Sequence, residues 1–466
     1  MSPRTRMLLE GPVVRTLLQL AWPNILVMLT QSATGLIETF FVSRLGTDAL
    51  AGMALVFPGF MMMQMLSAGA VGGGISSAVA QALGGGRKED ADALLMHAII
   101  INLTLGILFS ALFLVFGETL YAHMGGVGGS LHAALQYSNM VFAGAALVWL
   151  MNALASVLRG TGNMLVPSAA ICIGFVILLP LSPALIFGFG PIPALGVAGG
   201  AAAVLITLFV STLLLIWYIW SGRSLVRPRW TRLNKRLFVS ILRVGAVGAV
   251  STLQTTLVFA LTTALVGASA GPGALAGYGT GARLEYLLIP LVFGLGAPLV
   301  AMVGTNVGAG QKARALRIAF IGGAIAFGLT ELIGLAAALW PRAWLEIFGH
   351  DPQMLATGIT YLRIVGPTFG FFGLGLCLYF ASQGAGRLVW PLFSGFLRLV
   401  VAIGLGWILY RATDSIAGLF AALALGLIVY GCSLAVAIAR GVWFGGDYRM
   451  NPLRLWRNPA PATAQS

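Results

Sequence analysis

LAWPNILVMLTQSATGLIETFFVSRLGTDALAG, residues 20–52, carries the reading of the whole chain. As a helix rising ~1.5 Å per residue it is long enough to cross ~30 Å of hydrocarbon. One acid, Glu38, sits deep in its apolar run, and Asn24, Gln31 and Thr34 precede it on the same helical face, with Glu38 at i+14 from Asn24. A charged carboxylate inside a bilayer costs several kcal/mol, so its presence there is a functional hypothesis by default.

Working outward, apolar stretches of similar length recur along all 466 residues, of which 59% are hydrophobic and 9% charged. This composition excludes a soluble domain and points to an all-α protein that crosses the bilayer many times. The 62 glycines suit close packing of membrane helices. Twelve spans are expected, near 16–43, 53–82, 93–116, 133–157, 165–189, 194–219, 239–267, 276–305, 315–339, 355–381, 388–410 and 416–440. The longest polar connector is SGRSLVRPRWTRLNKR, residues 221–236. The expected division is a lead-in at 1–15, a six-helix bundle at 16–220, a basic linker at 221–237, a second bundle at 238–441 and a tail at 442–466. MSPRTRMLLEGPVVR reads as a lead-in to the first span, not a cleavable signal.

The net charge of +14 would suit nucleic acid only if the basic residues formed a face. They lie instead in short loops and at span ends, which is a topology signal. With both termini cytoplasmic, 21 of the 27 Lys and Arg fall on the inner side, Arg449, Arg454 and Arg457 of the tail and Arg159 included. Arg44, Arg342 and Arg411 fall outside, and Arg283, Arg363 and Arg398 lie within spans. A multi-pass protein of a bacterial-type cytoplasmic (inner) membrane is expected.

The two halves repeat. Ala49-Leu50-Ala51-Gly52 returns at 274–277, Gly84-Gly85-Gly86-Arg87-Lys88 as Gly308-Ala309-Gly310-Gln311-Lys312, Tyr137 as Tyr361, and Arg159-Gly160-Thr161-Gly162 as Gln383-Gly384-Ala385-Gly386, each at an offset of 224 or 225 residues. Six spans per unit make the repeats parallel, related by an axis along the membrane normal. Such halves bind substrate between them and rock to alternate access.

Through Pro23, IETFFVSRLGTDALAG, SSAVAQALGGGRKEDA, LRGTGNMLVP and ALAGYGTGARLEYLLIPLVFGLGAPLVAMVGTNVGAGQKARA, the chain resembles the multidrug and toxic compound extrusion (MATE) family of efflux antiporters. The resemblance implies two six-helix bundles in a V with a central cavity, and export driven by inward flow of protons or sodium ions. The family has Asp where Glu38 stands. Its two polar partners on the fifth span fall here on Leu178 and Ser182, and a seventh-span carboxylate of one branch falls on Gln254. These departures favour a proton site with one carboxylate, since sodium requires several hard oxygen ligands.

Glu38 with Gln31, Thr34 and Asn24 is thus the expected coupling site, because burial disfavours the anion and lets the group take and release a proton. Pro23 removes a backbone donor and permits bending. Gln254, Thr255, Thr262, Arg283 and Glu285 are candidates for a second polar site. Arg283 and Glu285, two apart, do not face each other on a helix. The glycine-rich turn GASAGPGALAG sets both about two turns inside the outer interface, where Arg283 snorkels. Glu331 in the ninth span reads equally as structural. Met61 and Met65, which adapt to varied shapes, and Tyr137 and Trp149 are expected to line the substrate cavity. The three cysteines and four histidines show no metal or redox spacing, and neither glycine-rich turn is a phosphate loop, so no enzyme, cofactor or metal is expected.

The expected function is a monomeric secondary antiporter. It exports amphipathic, often cationic, organic compounds in exchange for protons, with the lipid bilayer as its surroundings and no nucleic-acid partner. The alternatives are sodium coupling and a lipid-linked precursor flippase of the same superfamily.

Overall fold

The computed structural model describes residues 2–191, 193–229 and 232–445. Arg449, Arg454, Arg457 and most of the expected tail lie outside these residues, as do Trp230 and Thr231 of the linker.

A short helix, Pro3–Glu10, leads into span 1, Val13–Ser43, which continues through Pro23. Span 2 is Thr47–Gly84, span 3 Lys88–His123, span 5 Leu165–Phe187 and span 6 Val197–Trp220. Span 4 is two helices, Gly128–Ala143 and Ala145–Gly160, bent by 46° at Gly144. The second half repeats the pattern with span 7, Lys235–Ala268, span 8, Gly271–Gly308, and span 9, Lys312–Leu339, followed by span 10, Pro352–Ala385, span 11, Val389–Thr413, and span 12, Ile416–Ala439. Among the described residues, eleven helices are long and apolar enough to cross a membrane, and the bent pair makes twelve. The architecture is all-α, two six-span bundles forming a V around a central cavity.

Two differences from the expected boundaries matter. Span 4 is longer than 133–157, by five residues before it and three after it, and it is broken within that range at Gly144. Span 10 breaks at the matching place, with a tighter turn at Gly366–Thr368. There the Glu331 carboxylate accepts the Gly370 N–H (2.7 Å), so this acid serves the backbone of a broken helix. GASAGPGALAG is not an extended loop either. Helical geometry is lost at Gly271 alone, whose φ of 78° suits a residue without a Cβ, and span 8 starts at once. Glu285 is therefore ~20 Å along its helix instead of two turns inside it.

The connector is pinned to the start of span 3. Asp92 accepts the Arg227 N–H, the His97 ring accepts the Asn234 N–H, and Asp90 pairs with Arg236.

Spans 1 and 7 each divide their packing between the two halves. Val13, Leu17 and Leu20 of span 1 belong to a buried cluster with Leu299, Met302 and Leu316 of the second half. Asn306 of span 8 donates to the Leu8 carbonyl (3.0 Å), and Arg314 to that of Gly11. Farther along, Val42 of span 1 joins the core of the first half. Span 7 reciprocates: Leu237 and Ile241 are in the first half's core, while Val258 and Val266 are in the second's.

The halves meet tightly at the end that carries the basic loops. A Cβ on Gly84 would strike the Thr305 carbonyl, and one on Gly308 would strike that of Gln81. Ser77 and Gln81 both donate to the Gly384 carbonyl, at 3.0 and 2.8 Å. Gln383 crosses the other way, to the Gly69 carbonyl at 3.0 Å.

Candidate functional site

Glu38 is 2% exposed, enclosed by spans 1, 5 and 6. Ser182 of span 5 donates to its Oε1 at 2.9 Å. Its Oε2 is buried with no hydrogen-bond partner and lies where a Cβ on Gly200 would touch it. Glycine at 200 thus makes room for the carboxyl. Tyr137 of span 4 is within electrostatic reach. Among the described residues no Lys or Arg lies within 4 Å of Glu38. The aligned position Ser182 does engage the acid, whereas Leu178 is a buried apolar residue and offers no ligand.

The rest of the polar stripe on span 1 spreads out. Asn24 donates to the Phe293 carbonyl of span 8 (3.0 Å), so it joins the halves where span 1 passes from one core to the other. Pro23 is buried beside it. Thr34 bonds back to the Thr30 carbonyl (3.0 Å), and Gln31 is exposed. A helical face records direction, but the neighbours along a span of 31 residues change, and here they belong to different bundles.

A second buried acid site lies in the other half. Glu285 is 4% exposed. It pairs with Arg398 of span 11 at 3.0 Å and accepts from the Tyr361 hydroxyl at 2.8 Å. The Arg398 guanidinium also stacks over Phe372, 5.1 Å from the ring centroid. The same Arg398 lines a recess with Gln254, Thr255, Tyr379 and Tyr430. Gln254 and Thr255 therefore share a recess with Arg398, the partner of Glu285, which residue spacing did not reveal. Thr262 is buried and bonds to the Val258 carbonyl (2.8 Å). Arg283 is apart from this group: it is exposed, with its guanidinium over the Phe348 ring.

The expected cavity residues split. Met61 and Met65 are 37% exposed and share a stripe with Phe57, one turn apart each. Tyr137 and Trp149 do not line an open cavity. At 6% and 3% exposure they are inside the first half's core, Trp149 with its ring against Phe109. Large aromatic side chains bury readily, and their residue type alone does not distinguish a core from a cavity wall.

One basic side chain lies elsewhere than its place at a helix end suggests. Arg159, counted with the basic loops, is 6% exposed and lines a second recess between the halves with Ser76, Ser156, Phe293, Phe380 and Gln383.

The MatE family model matches residues 23–184 and 249–408, one segment in each half. A "FAD transporter" of Shewanella oneidensis is 29% identical over 404 residues, covering 84% of this chain and 87% of that protein. A "Probable multidrug resistance protein NorM" of Thermotoga maritima is 25% identical over 405 residues, covering 84% and 85%. Among solved structures, a MATE protein in a bent conformation superposes with a TM-score of 0.86 at 24% identity, covering 94% of this chain and 96% of that one. A MOP-superfamily transporter from Pyrococcus furiosus gives a TM-score of 0.85 at 23% identity, covering 94% and 97%. With two matched segments, one in each of the repeated six-span halves, this chain belongs to the MatE family.

Proposed function

We propose that this protein is a secondary antiporter that exports amphipathic organic compounds in exchange for protons, and that Glu38 is the coupling residue. The observation that carries the reading is the isolation of Glu38. One neutral donor serves it, one oxygen has no partner, and among the described residues no cation compensates it. A carboxyl in that setting is stable when protonated, and ionises when a conformational change admits water or a cation. Sodium would require several oxygen ligands at once. Leu178 occupies the place where the resemblance puts one of them, which favours the proton.

The distribution of basic residues favours a cytoplasmic basic side and both termini inside. In that orientation the seal around Gly84 and Gly308 closes the cavity to the cytoplasm, and the V opens outward. The relatives named for multidrug resistance favour a broad range of substrates. The relative named for FAD favours a second reading, in which the cargo is anionic and aromatic.

Transport in proteoliposomes, with proton and sodium gradients imposed separately, tests this. Wild type should respond to the proton gradient, and Glu38→Gln should not. Full gradient-coupled activity in Glu38→Gln would refute the role of Glu38, and a response to sodium alone would replace the coupling ion.

A further inference from the structure

The recess holding Arg159 has an unusual position. Its lining residues pair across the repeat at a constant offset of 224: Ser76 with Val300, Ser156 with Phe380, and Arg159 with Gln383. A cavity lined by equivalent positions of two parallel repeats sits on the axis that relates them. It lies next to the seal, because Gln383 is also the residue that bonds to Gly69 across the interface.

Its chemistry is one-sided. From the first half come a guanidinium and two hydroxyls, while the second half contributes apolar and neutral groups. Arg159 is 6% exposed, yet among the described residues no carboxylate lies within 4 Å of it and no hydrogen bond reaches its guanidinium. The Ser156 hydroxyl is likewise buried without a partner, whereas Ser76 spends its proton on the Ser156 carbonyl at 2.7 Å. A buried, uncompensated cation is costly, and a half-satisfied polar group beside it adds to the cost. By contrast, the other buried intramembrane arginine described above, Arg398, has its acid.

We propose that Arg159 forms the core of a binding site for the anionic group of the transported molecule, a phosphate or carboxylate carried on an aromatic body. Guanidinium matches such oxyanions in a bidentate manner. The opposite wall holds the Phe293 and Phe380 rings, 5.3 Å apart and edge to face, a surface for the planar part. The site lies between the bundles, so a bound anion touches both and is released when they separate. This proposal rests on the transport reading and narrows its substrate class.

The test uses two flavins that differ only in a phosphate, flavins being the named cargo of one relative. Binding of flavin mononucleotide and of riboflavin to the purified full chain is followed by flavin fluorescence. Wild type should bind the phosphorylated form about tenfold more tightly, the worth of a charge-assisted hydrogen bond. Inorganic phosphate should displace flavin mononucleotide and leave riboflavin in place. Arg159→Gln should erase the preference, and Arg159→Lys should keep part of it. Gln383→Glu should also erase it, by placing a carboxylate opposite Arg159, and it decides the matter if Arg159→Gln fails to fold. Equal affinities in wild type, absence of binding included, overturn the proposal. So does a preference that persists in Gln383→Glu. A normal preference without proton-driven transport would refute the antiport reading alone.

Discussion

The two halves place a tyrosine at the same point of the repeat and give it different company. Tyr137 lies near Glu38, an acid from the first span of its half, while Tyr361 donates to Glu285, an acid from the second span of the other half. Span 5 answers Glu38 with the neutral Ser182, and span 11 answers Glu285 with Arg398. One half thus keeps a carboxyl with one neutral donor and, among the described residues, no ion pair. The other keeps a compensated pair whose charges hold three spans together. Duplication supplied one scaffold twice, and the placement of one cation separates an unpaired acid, to which we assign proton exchange, from a paired one.

This contrast can be broken most severely at Glu38. Glu38→Gln should reduce proton-coupled transport to background while the melting temperature of the purified protein stays close to wild type. Removing one partner of the compensated pair should do the reverse. Glu285→Gln leaves Arg398 buried and unpaired and should cost about 3–5 kcal/mol, read as a lower melting temperature. The double variant Glu285→Gln, Arg398→Met should recover much of that loss. A full recovery of stability together with retained transport would confirm that the pair is cohesive alone. Gly84→Ala forces a methyl into the seal and should cost roughly 1–3 kcal/mol. It should also open the basic side, measured as faster labelling of a cysteine at position 81. Ser182→Ala removes one hydrogen bond, worth about 1 kcal/mol, and should slow coupled transport a few-fold. Pro23→Ala should lower turnover more than stability, and unchanged turnover would show that span 1 does not need its proline.

Much of this was legible in the chain itself. The spans, the parallel repeat and the exceptional status of Glu38 follow from hydropathy and offset, which are properties of contiguous sequence. What stayed hidden were the partners. Glu285 and Arg398 are 113 residues apart, and no periodicity links them. GASAGPGALAG has the composition of a loop, which hides how far along its helix Glu285 lies, although Gly271 is the residue that leaves the helical region. Arg159 reads as a loop cation because it stands at a helix end. A side chain of that length at such an end reaches either solvent or the interior, and sequence does not choose between them. Tyr137 and Trp149 lie in the first half's core, and residue type does not announce this, as aromatic character is shared by cores and cavities.

The exchange of packing by spans 1 and 7 has a consequence for how the protein is made. The first six spans leave the ribosome before Leu237 and Ile241, which complete their core, exist. The residues of span 1 that pack on spans 8 and 9 meanwhile have no docking surface. The first half should therefore wait in the membrane as a loosely associated, protease-sensitive intermediate until the eighth and ninth spans have been inserted. Either half expressed alone should be degraded, and the two expressed together as separate chains should rescue one another.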